Sequence, residues 1–309
     1  MLLRDLGENG LIERIRQRFR TSPLPVGIGD DAAILDIPSG YSLVYCSDLV
    51  VEDTHFARAM HPPDSVGYKA VAVNVSDVGA MGGIPMSFTI ALAAPGNLEL
   101  TWIDDFYSGI ERACRDFGVV LAGGDTSSAQ CIFVDVSMVG RVQAGRAILR
   151  SGARPGDQIY VTGTLGGSAL GLELLRSGKK EHAAIHRHLY PEPRHRLGQT
   201  IAGLAHAMID VSDGLSTDLM HILHESRVSA RLYKDRLPVA NGATDEHVLH
   251  GGEDYELLVT APELPNEVEG VSLRCIGEII SSTAEDQILM MEGSSESILR
   301  PRGWDHYRK

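Results

Sequence analysis

Cysteine is scarce: Cys46, Cys114, Cys131 and Cys275 are the only four in 309 residues, far apart and without a CxxC pair. That excludes a zinc knuckle and a disulfide framework and fits a reducing compartment. Basic charge is also short, with 28 Lys and Arg against 41 Asp and Glu and a formal charge of −13. No basic run could track a nucleic-acid backbone, so nucleic acid is not an expected partner. Nowhere is there a run of about 18 apolar residues, and Arg4 and Asp5 interrupt the place where a signal peptide would need one. The expectation is a cytoplasmic protein with no membrane role. Phosphate-gripping and metal-hydrolase signatures are missing as well. The twelve histidines form no HExxH pattern, and Gly178-Lys179-Lys180 lacks both the following Ser/Thr and the upstream glycine of a Walker A loop. That tripeptide reads as a helix C-terminus with solvated lysines, and His182, His186 and His188 read as surface.

Oxygen-bearing side chains, by contrast, recur in five short aspartate motifs: GDDAA at 29–33, SD at 47–48, NVSD at 74–77, GGDT at 123–126 and DVSDG at 210–214. Each alone has a plain reading, because Asp beside Gly makes turns and Asp caps helices. Together they supply the ligand set of a hard divalent cation such as Mg²⁺, which in turn holds phosphate oxygens. In DVSDG, Asp210, Ser212 and Asp213 offer three oxygens within four residues, and the two glycines before Asp125 would let a backbone approach a ligand closely. The surplus of acid fits carboxylates converging on cations, and it equally fits a protein kept soluble by charge.

The length predicts two domains of roughly 150 residues each. Residues 10–19 carry Leu11, Ile12, Ile15 and Phe19 on one helical stripe. Strands are predicted over 32–37 and 42–50, the second ending near Asp48. Asp64 can N-cap a helix closed by Gly82 and Gly83, in which Asn74 and Asp77 share a face. A strand at 86–92, a helix at about 101–117 and strands at 119–122 and 131–140 complete a first layer. The turn-rich stretch 140–157 is the expected boundary, giving domains over 1–140 and 150–309. In the second, strands at 158–162, 256–260 and 273–280 and helices near 167–177, 195–207 and 214–225 are predicted. The order fits an α+β arrangement of two α/β domains.

Two further motifs are ambiguous. The glycine-rich turn at 163–171 follows a strand and opens a helix, yet lacks GxGxxG spacing, so a packing turn is favoured over a dinucleotide site. GGEDYELL at 251–258 puts Glu253 and Asp254 after a glycine pair, either as an exposed ligand-facing pair or as the shape of a turn.

In this order and spacing GIGDDAA, SDLVVEDTHF, AVNVSDVGAMG, GGDT, RSGARPGD, DVSDGL, GGEDYELL and GWDHY resemble the thiamine-monophosphate kinase family, over nearly the whole chain. That family belongs to a superfamily with aminoimidazole ribonucleotide synthase, selenophosphate synthetase and a hydrogenase maturation factor. The resemblance implies a homodimer whose ferredoxin-like N-terminal sheets pair into a barrel, with ATP bound near that interface and a C-terminal α/β domain of the synthase type. It implies Mg²⁺ ligation by Asp31, Asp48, Asp77, Asp125, Asp210 and Asp213 with Ser47, and a backbone contact from Cys46, which stands where a hydroxyl residue is usual. ATP would be held by Tyr107, Gly124, Asp125, Arg150 and Ser212, and thiamine monophosphate by His55, Glu253 and Trp304. Trp304 replaces the usual Tyr or Phe and keeps a face for stacking. Selenophosphate synthetases carry a reactive Cys or selenocysteine near the N-terminus, whereas the first cysteine here is Cys46 inside a predicted strand. The implied reaction makes thiamine diphosphate and ADP. A phosphate monoester has a second pKa near 6, so its oxygen is already anionic and needs no general base.

Overall fold

The computed structural model describes residues 1–21, 24, 28, 33, 35–282 and 286–304. The chain divides into two compact units: residues 1–78 with 84–144, and residues 79–83 with 145–309. No helix among the described residues is long and apolar enough to cross a membrane.

In the first unit the elements run α1 (Leu3–Arg18), β1 (Tyr41–Val51), α2 (Pro63–Ala80), β2 (Ile84–Ala94), α3 (Leu100–Phe117), β3 (Val120–Ser128) and β4 (Phe133–Gln143), with the last two residues of α2 counted in the second unit. The predicted opening helix over 10–19 begins earlier, at Leu3, and bends at Gly7, whose φ of 72° lies outside the helical region. The four strands order as β1-β4-β2-β3, with β2 and β3 parallel and the other neighbours antiparallel. Four strands and two covering helices suit a ferredoxin-like layer, but the chain order here is β-α-β-α-β-β rather than β-α-β-β-α-β. α2 is buried around most of its circumference, from Val66 through Val78, as its Ala and Val content requires. α3 keeps its apolar residues on one stripe, with Ile103, Phe106, Tyr107 and Ile110 buried, and closes at Gly118 in the left-handed conformation.

Along β1 the pleat sorts residues cleanly. Val44 and Val50 are buried and Cys46 and Asp48 half-buried, whereas Tyr41, Leu43, Tyr45, Ser47 and Leu49 are exposed.

The second unit contains β5 (Gln158–Thr162), α4 (Gly167–Arg176), α5 (Ala183–Leu189), α6 (His195–Ile201), β6 (Ala207–Asp210), α7 (Leu215–Ser226), β7 (Val228–Tyr233), α8 (Asp245–His250), β8 (Leu257–Ala261), β9 (Glu267–Val268), β10 (Val271–Ser281), β11 (Ile288–Glu292) and β12 (Ser295–Leu299). Its eight-stranded sheet orders as β12-β11-β7-β10-β5-β8-β6, with β9 on β10. Both faces are covered, which is why β5 and β8 read as continuous apolar runs. Ile159, Val161 and Leu258 belong to one core and Tyr160, Leu257 and Val259 to another.

Several predicted boundaries change. The strand expected over 32–37 falls partly outside the described residues, and residues 35–38 belong to no strand. The helix expected over 195–207 ends at Ile201, because Ala207 already starts β6 beside β8. The strand expected over 119–122 continues through Asp125 to Ser128.

Candidate functional site

In the first unit three of the aspartates are described, and Asp31 lies outside the described residues. Asp48 sits in the middle of β1, paired across the ladder with Val136, not at the strand end that its sequence context predicts. It projects on the half-buried face of the strand, as Cys46 does two residues earlier. The Cys46 thiol lies 3.6 Å from the Asn74 carbonyl oxygen and 3.5 Å from Asn74 Oδ1, so its side chain faces α2, where Asn74 donates to Ala70 O at 3.1 Å. Asp77 is one helical turn further along that face, half-buried. Thus β1 and α2 together direct the NVSD and CSD segments toward one layer. Ser47 points the other way, donating to Asp135 Oδ1 at 2.6 Å on the exposed face, so it and Asp48 serve opposite sides of the sheet.

Asp125 is exposed on β3, which forms one edge of the sheet while β1 forms the other. The row Asp48, Val136, Ile90, Gly124 runs straight across all four strands. Three strand spacings separate its ends, roughly 14 Å. Within one chain Asp48 and Asp125 therefore do not share a cation. The two glycines before Asp125 have different reasons to be there. A Cβ on Gly124 would stand 1.9 Å from the Ile90 carbonyl oxygen, whereas one on Gly123 would meet nothing nearer than Thr89 Cγ2 at 4.0 Å. The fold itself requires only Gly124.

Tyr107 is 4% exposed. Its ring stands edge-on to Phe19 and Phe106, at 6.1 and 5.3 Å between centroids, and burial pushes its phenol well above the usual range. It is a member of the aromatic core of α3, not an open ligand position. His55 lies in the turn after β1, where its Nδ1 accepts from Val51 N at 3.0 Å. That fixes the ring and leaves it half-buried.

In the second unit the distant motifs meet. β6 ends at Asp210, 3% exposed, and the next residues turn into α7 through Gly214, whose φ is 111°. GGED packs directly against this turn: Glu253 N donates to Ser212 O at 2.7 Å and Tyr255 N to Val211 O at 2.9 Å. Gly252 permits the approach, since a Cβ there would be 2.4 Å from Ser212 O. The Gly303–Trp304 segment reaches the same turn, with Gly303 N donating to Thr217 Oγ1 at 3.0 Å and Trp304 N to Asp213 O at 3.1 Å. The Trp304 ring is exposed. Ser212, Asp213, Glu253 and Trp304 therefore surround one loop. Arg150 is exposed near it, since its cation helps to push His221 of α7 downward after burial, the larger cause.

Sequence reasoning did not single out Asp218, 1% exposed in the first turn of α7. Its Oδ2 accepts from Asp213 N at 3.1 Å and Gly214 N at 3.0 Å. Burial raises its carboxyl well above the usual range, and the neighbouring charges of Asp210 and Asp213 raise it further. Ligand atoms of Asp213, Asp218 and His221 lie within 4.8 Å of one another. Three carboxylates crowded at a buried turn suit a divalent cation, whose charge would relieve their repulsion. The signal was present in the sequence, as DVSDGLSTD, but Asp218 is hidden by its helical position.

Around GGED the carboxylates differ in kind. Asp254 is not an exposed ligand: it is 3% exposed and accepts from Gly166 N at 2.5 Å and Ser168 N at 3.0 Å. The glycine-rich turn before α4 therefore has an internal anion at its helix start, which settles its reading as a packing turn. Glu256, fully buried, receives Arg187 and Arg194 and the Thr162 hydroxyl. His188 is 2% exposed against Ser168 and Glu253, not a solvated surface residue, and His182 caps α5.

The chain is similar to known proteins over most of its length. Residues 29–142 match the AIR synthase related protein, N-terminal domain, and residues 154–280 its C-terminal domain. The chain is 36% identical to thiamine-monophosphate kinase of Haemophilus influenzae, covering 98% of this chain and 99% of that protein. It is 39% identical to the Escherichia coli K12 protein of the same name, over 97% and 98%. Among solved structures, AaThiL complexed with AMPPCP and TMP superposes with a TM-score of 0.79 at 36% identity, covering 99% of both chains.

Proposed function

The chain belongs to the thiamine-monophosphate kinase family, and from that premise we propose that it transfers the γ-phosphoryl group of ATP directly, in line and with Mg²⁺, to thiamine monophosphate. The products are ADP and thiamine diphosphate. The observation that carries this reading is the convergence of DVSDG, GGED and Gly303–Trp304 on one turn, where carboxylates, a main-chain ligand loop and an exposed indole adjoin.

The acceptor is a phosphate monoester, largely dianionic at neutral pH, so the protein's task is to position two polyanions and not to remove a proton. Asp48, Asp77, Asp125, Asp210 and Asp213 are the proposed Mg²⁺ ligands, with Asp31, Ser47 and the backbone of Cys46 carried on the family resemblance. Bound Mg²⁺ would supply charge screening between the phosphates. Gly124, Asp125, Arg150 and Ser212 are assigned to ATP. Tyr107 is left out because its ring is enclosed in the core of α3. His55 and Glu253 are assigned to thiamine monophosphate, and the Trp304 ring to stacking on its heterocycle. A cytoplasmic homodimer completes the proposal. The exposed row Leu43, Tyr45 and Leu49 of β1, with Phe133 of β4 beside it, supports a second sheet covering this face.

The test is ADP release by purified protein with ATP and Mg²⁺, comparing thiamine monophosphate, thiamine and no acceptor. Stimulation by thiamine monophosphate alone, with thiamine diphosphate as product, is expected. ATP binding without ADP release under every acceptor and Mg²⁺ concentration would instead identify a nucleotide-binding sensor. Asp77→Asn removes a proposed metal ligand at nearly constant volume, and turnover should fall by about two orders of magnitude or more in a folded protein.

A further inference from the structure

One cleft in the second unit contains none of the residues assigned to ATP, Mg²⁺ or thiamine monophosphate. It encloses about 670 Å³ between the residues just after β5, the segment that follows the helical turn Lys234–Arg236, and the start of β10. Main-chain bonds fix its walls. Gly163 N donates to Ser272 O at 2.9 Å, Leu165 N to Pro238 O at 2.8 Å, Ala240 N to Leu165 O at 2.9 Å and Leu273 N to Asn266 O at 2.8 Å. The cleft is therefore preformed, and its volume is that of a small-molecule site.

Its charge is the reverse of the chain's. The whole chain carries −13, yet the described residues that line the cleft include Arg236 and Arg274 and no Asp or Glu. Both arginines are exposed, and among the described residues neither makes an ion pair. Arg236 is steadied by the ring of Tyr233, 4.2 Å from guanidinium carbon to centroid. Glu278, whose charge Arg236 feels, is already engaged: it accepts from Arg231 at 2.7 Å and from the Tyr233 hydroxyl at 3.0 Å. The Asn266 amide and the Ser272 hydroxyl are exposed too, and among the described residues their side chains make no hydrogen bond. Beside these polar groups stand apolar ones, the buried Leu237 and Leu273 and the 46% exposed Val239.

Unpaired cations and neutral donors next to apolar side chains suit a ligand that is anionic at one end and uncharged at the other. Guanidinium groups grip phosphate oxygens directly, with paired hydrogen bonds and without a metal. A cationic body would be repelled, which disfavours thiamine phosphates with their positive thiazolium ring. We propose that this cleft is a second ligand site, separate from the site of phosphoryl transfer, which takes a phosphate ester with an uncharged ring body and needs no divalent cation. Nucleotides are the plainest members of that class. The proposal does not rest on the kinase reading.

The experiment titrates ADP in EDTA into the full-length protein by calorimetry. Adenosine and pyrophosphate serve as comparison ligands. The variants are Arg236→Ala, Arg274→Ala, Arg274→Glu and the Arg236→Ala/Arg274→Ala pair, each with thermal unfolding. Wild type should bind ADP without metal, and each alanine should weaken binding about tenfold, the scale of hydrogen bonds to a charged group. The pair and Arg274→Glu should weaken it by about a hundredfold or more. Adenosine should bind at least about tenfold more weakly than ADP, and pyrophosphate at least about fivefold more weakly, because it leaves the apolar wall unused. If the folded pair binds ADP in EDTA as wild type does, the metal-free nucleotide sits elsewhere and the proposal is overturned. Absence of wild-type binding at millimolar ADP overturns it as well. So does adenosine or pyrophosphate binding as tightly as ADP, since the site would then not read a phosphate ester.

Discussion

The guanidinium of Arg194 meets the carboxylate of Glu256 edge to edge, Nε to Oε2 and Nη2 to Oε1, both at 2.8 Å. The Glu256 side chain is 1% exposed and that of Arg194 18%, so this bidentate pair is screened little by solvent. Arg187 adds a third contact at 2.6 Å to Oε1. Arg194→Ala should lower unfolding free energy by about 2–3 kcal/mol, with Arg187 limiting the loss, and Glu256→Gln by about 3 kcal/mol, because two cations then lose their nearest counter-charge and keep only Asp254 and Glu192, each at 3.6 Å. Urea unfolding of both variants measures this, and equal stabilities of wild type and Glu256→Gln would refute it.

The paired glycines of GGDT separate folding from binding. Gly124→Ala forces a Cβ to 1.9 Å from a carbonyl oxygen of β2, so β3 must move and stability should drop by about 2–3 kcal/mol. Gly123→Ala has room for its methyl and should stay within about 0.5 kcal/mol of wild type. If the backbone beside Asp125 approaches ATP, Gly123→Ala should nonetheless raise KM for ATP. A wild-type KM in this variant would remove that reason for the glycine.

Asp254 predicts a pH dependence. Burial raises its carboxyl from 3.8 to about 6, partly offset by Arg187 and the two amides of α4. A raised folded pKa means that the native state binds the proton more tightly than the unfolded chain. The contribution is therefore fully present below about pH 4 and is lost as pH rises to about 6, a change of about 3 kcal/mol. Asp254→Asn should flatten this component of stability between pH 4 and pH 6. Parallel profiles for the two proteins would show that the group does not titrate there.

Thiol reactivity should follow enclosure. Burial pushes the Cys114 thiol up to about 12, while Cys131 is exposed. At pH 8 iodoacetamide should modify Cys131 at least about tenfold faster than Cys114, as peptide mass spectrometry would show. Comparable rates would mean that α3 opens on the labelling time scale.

Long, regular elements were legible in the sequence because one period dominates each: the Val and Ala run of α2, the apolar stripe of α3 and the alternation of β1. Short pieces were not. α5 spells AAIHRHL and α8 DEHVLH, too brief for a period to outweigh their polar residues, and β6 is four residues long and only a neighbour makes it a strand. The aspartate motifs could be found by composition, but their division of labour could not. Nothing local distinguishes Glu253, which faces partly outward, from Asp254, which is enclosed. The difference comes from two left-handed residues, Glu253 and Tyr255 with φ of 64° and 51°, and from α4, more than 80 residues earlier in the chain. His188 looked solvated for the same reason, since Ser168 and Glu253 reach it from other elements.

Two helix starts in the second unit, those of α4 and α7, are already occupied by a carboxyl group of the protein's own, Asp254 at one and Asp218 at the other. Helix starts of this kind are where many α/β proteins grip phosphate with bare amides. Here those amides are engaged from within, so neither helix start offers a bare dipole, and an incoming phosphate must be gripped by other groups.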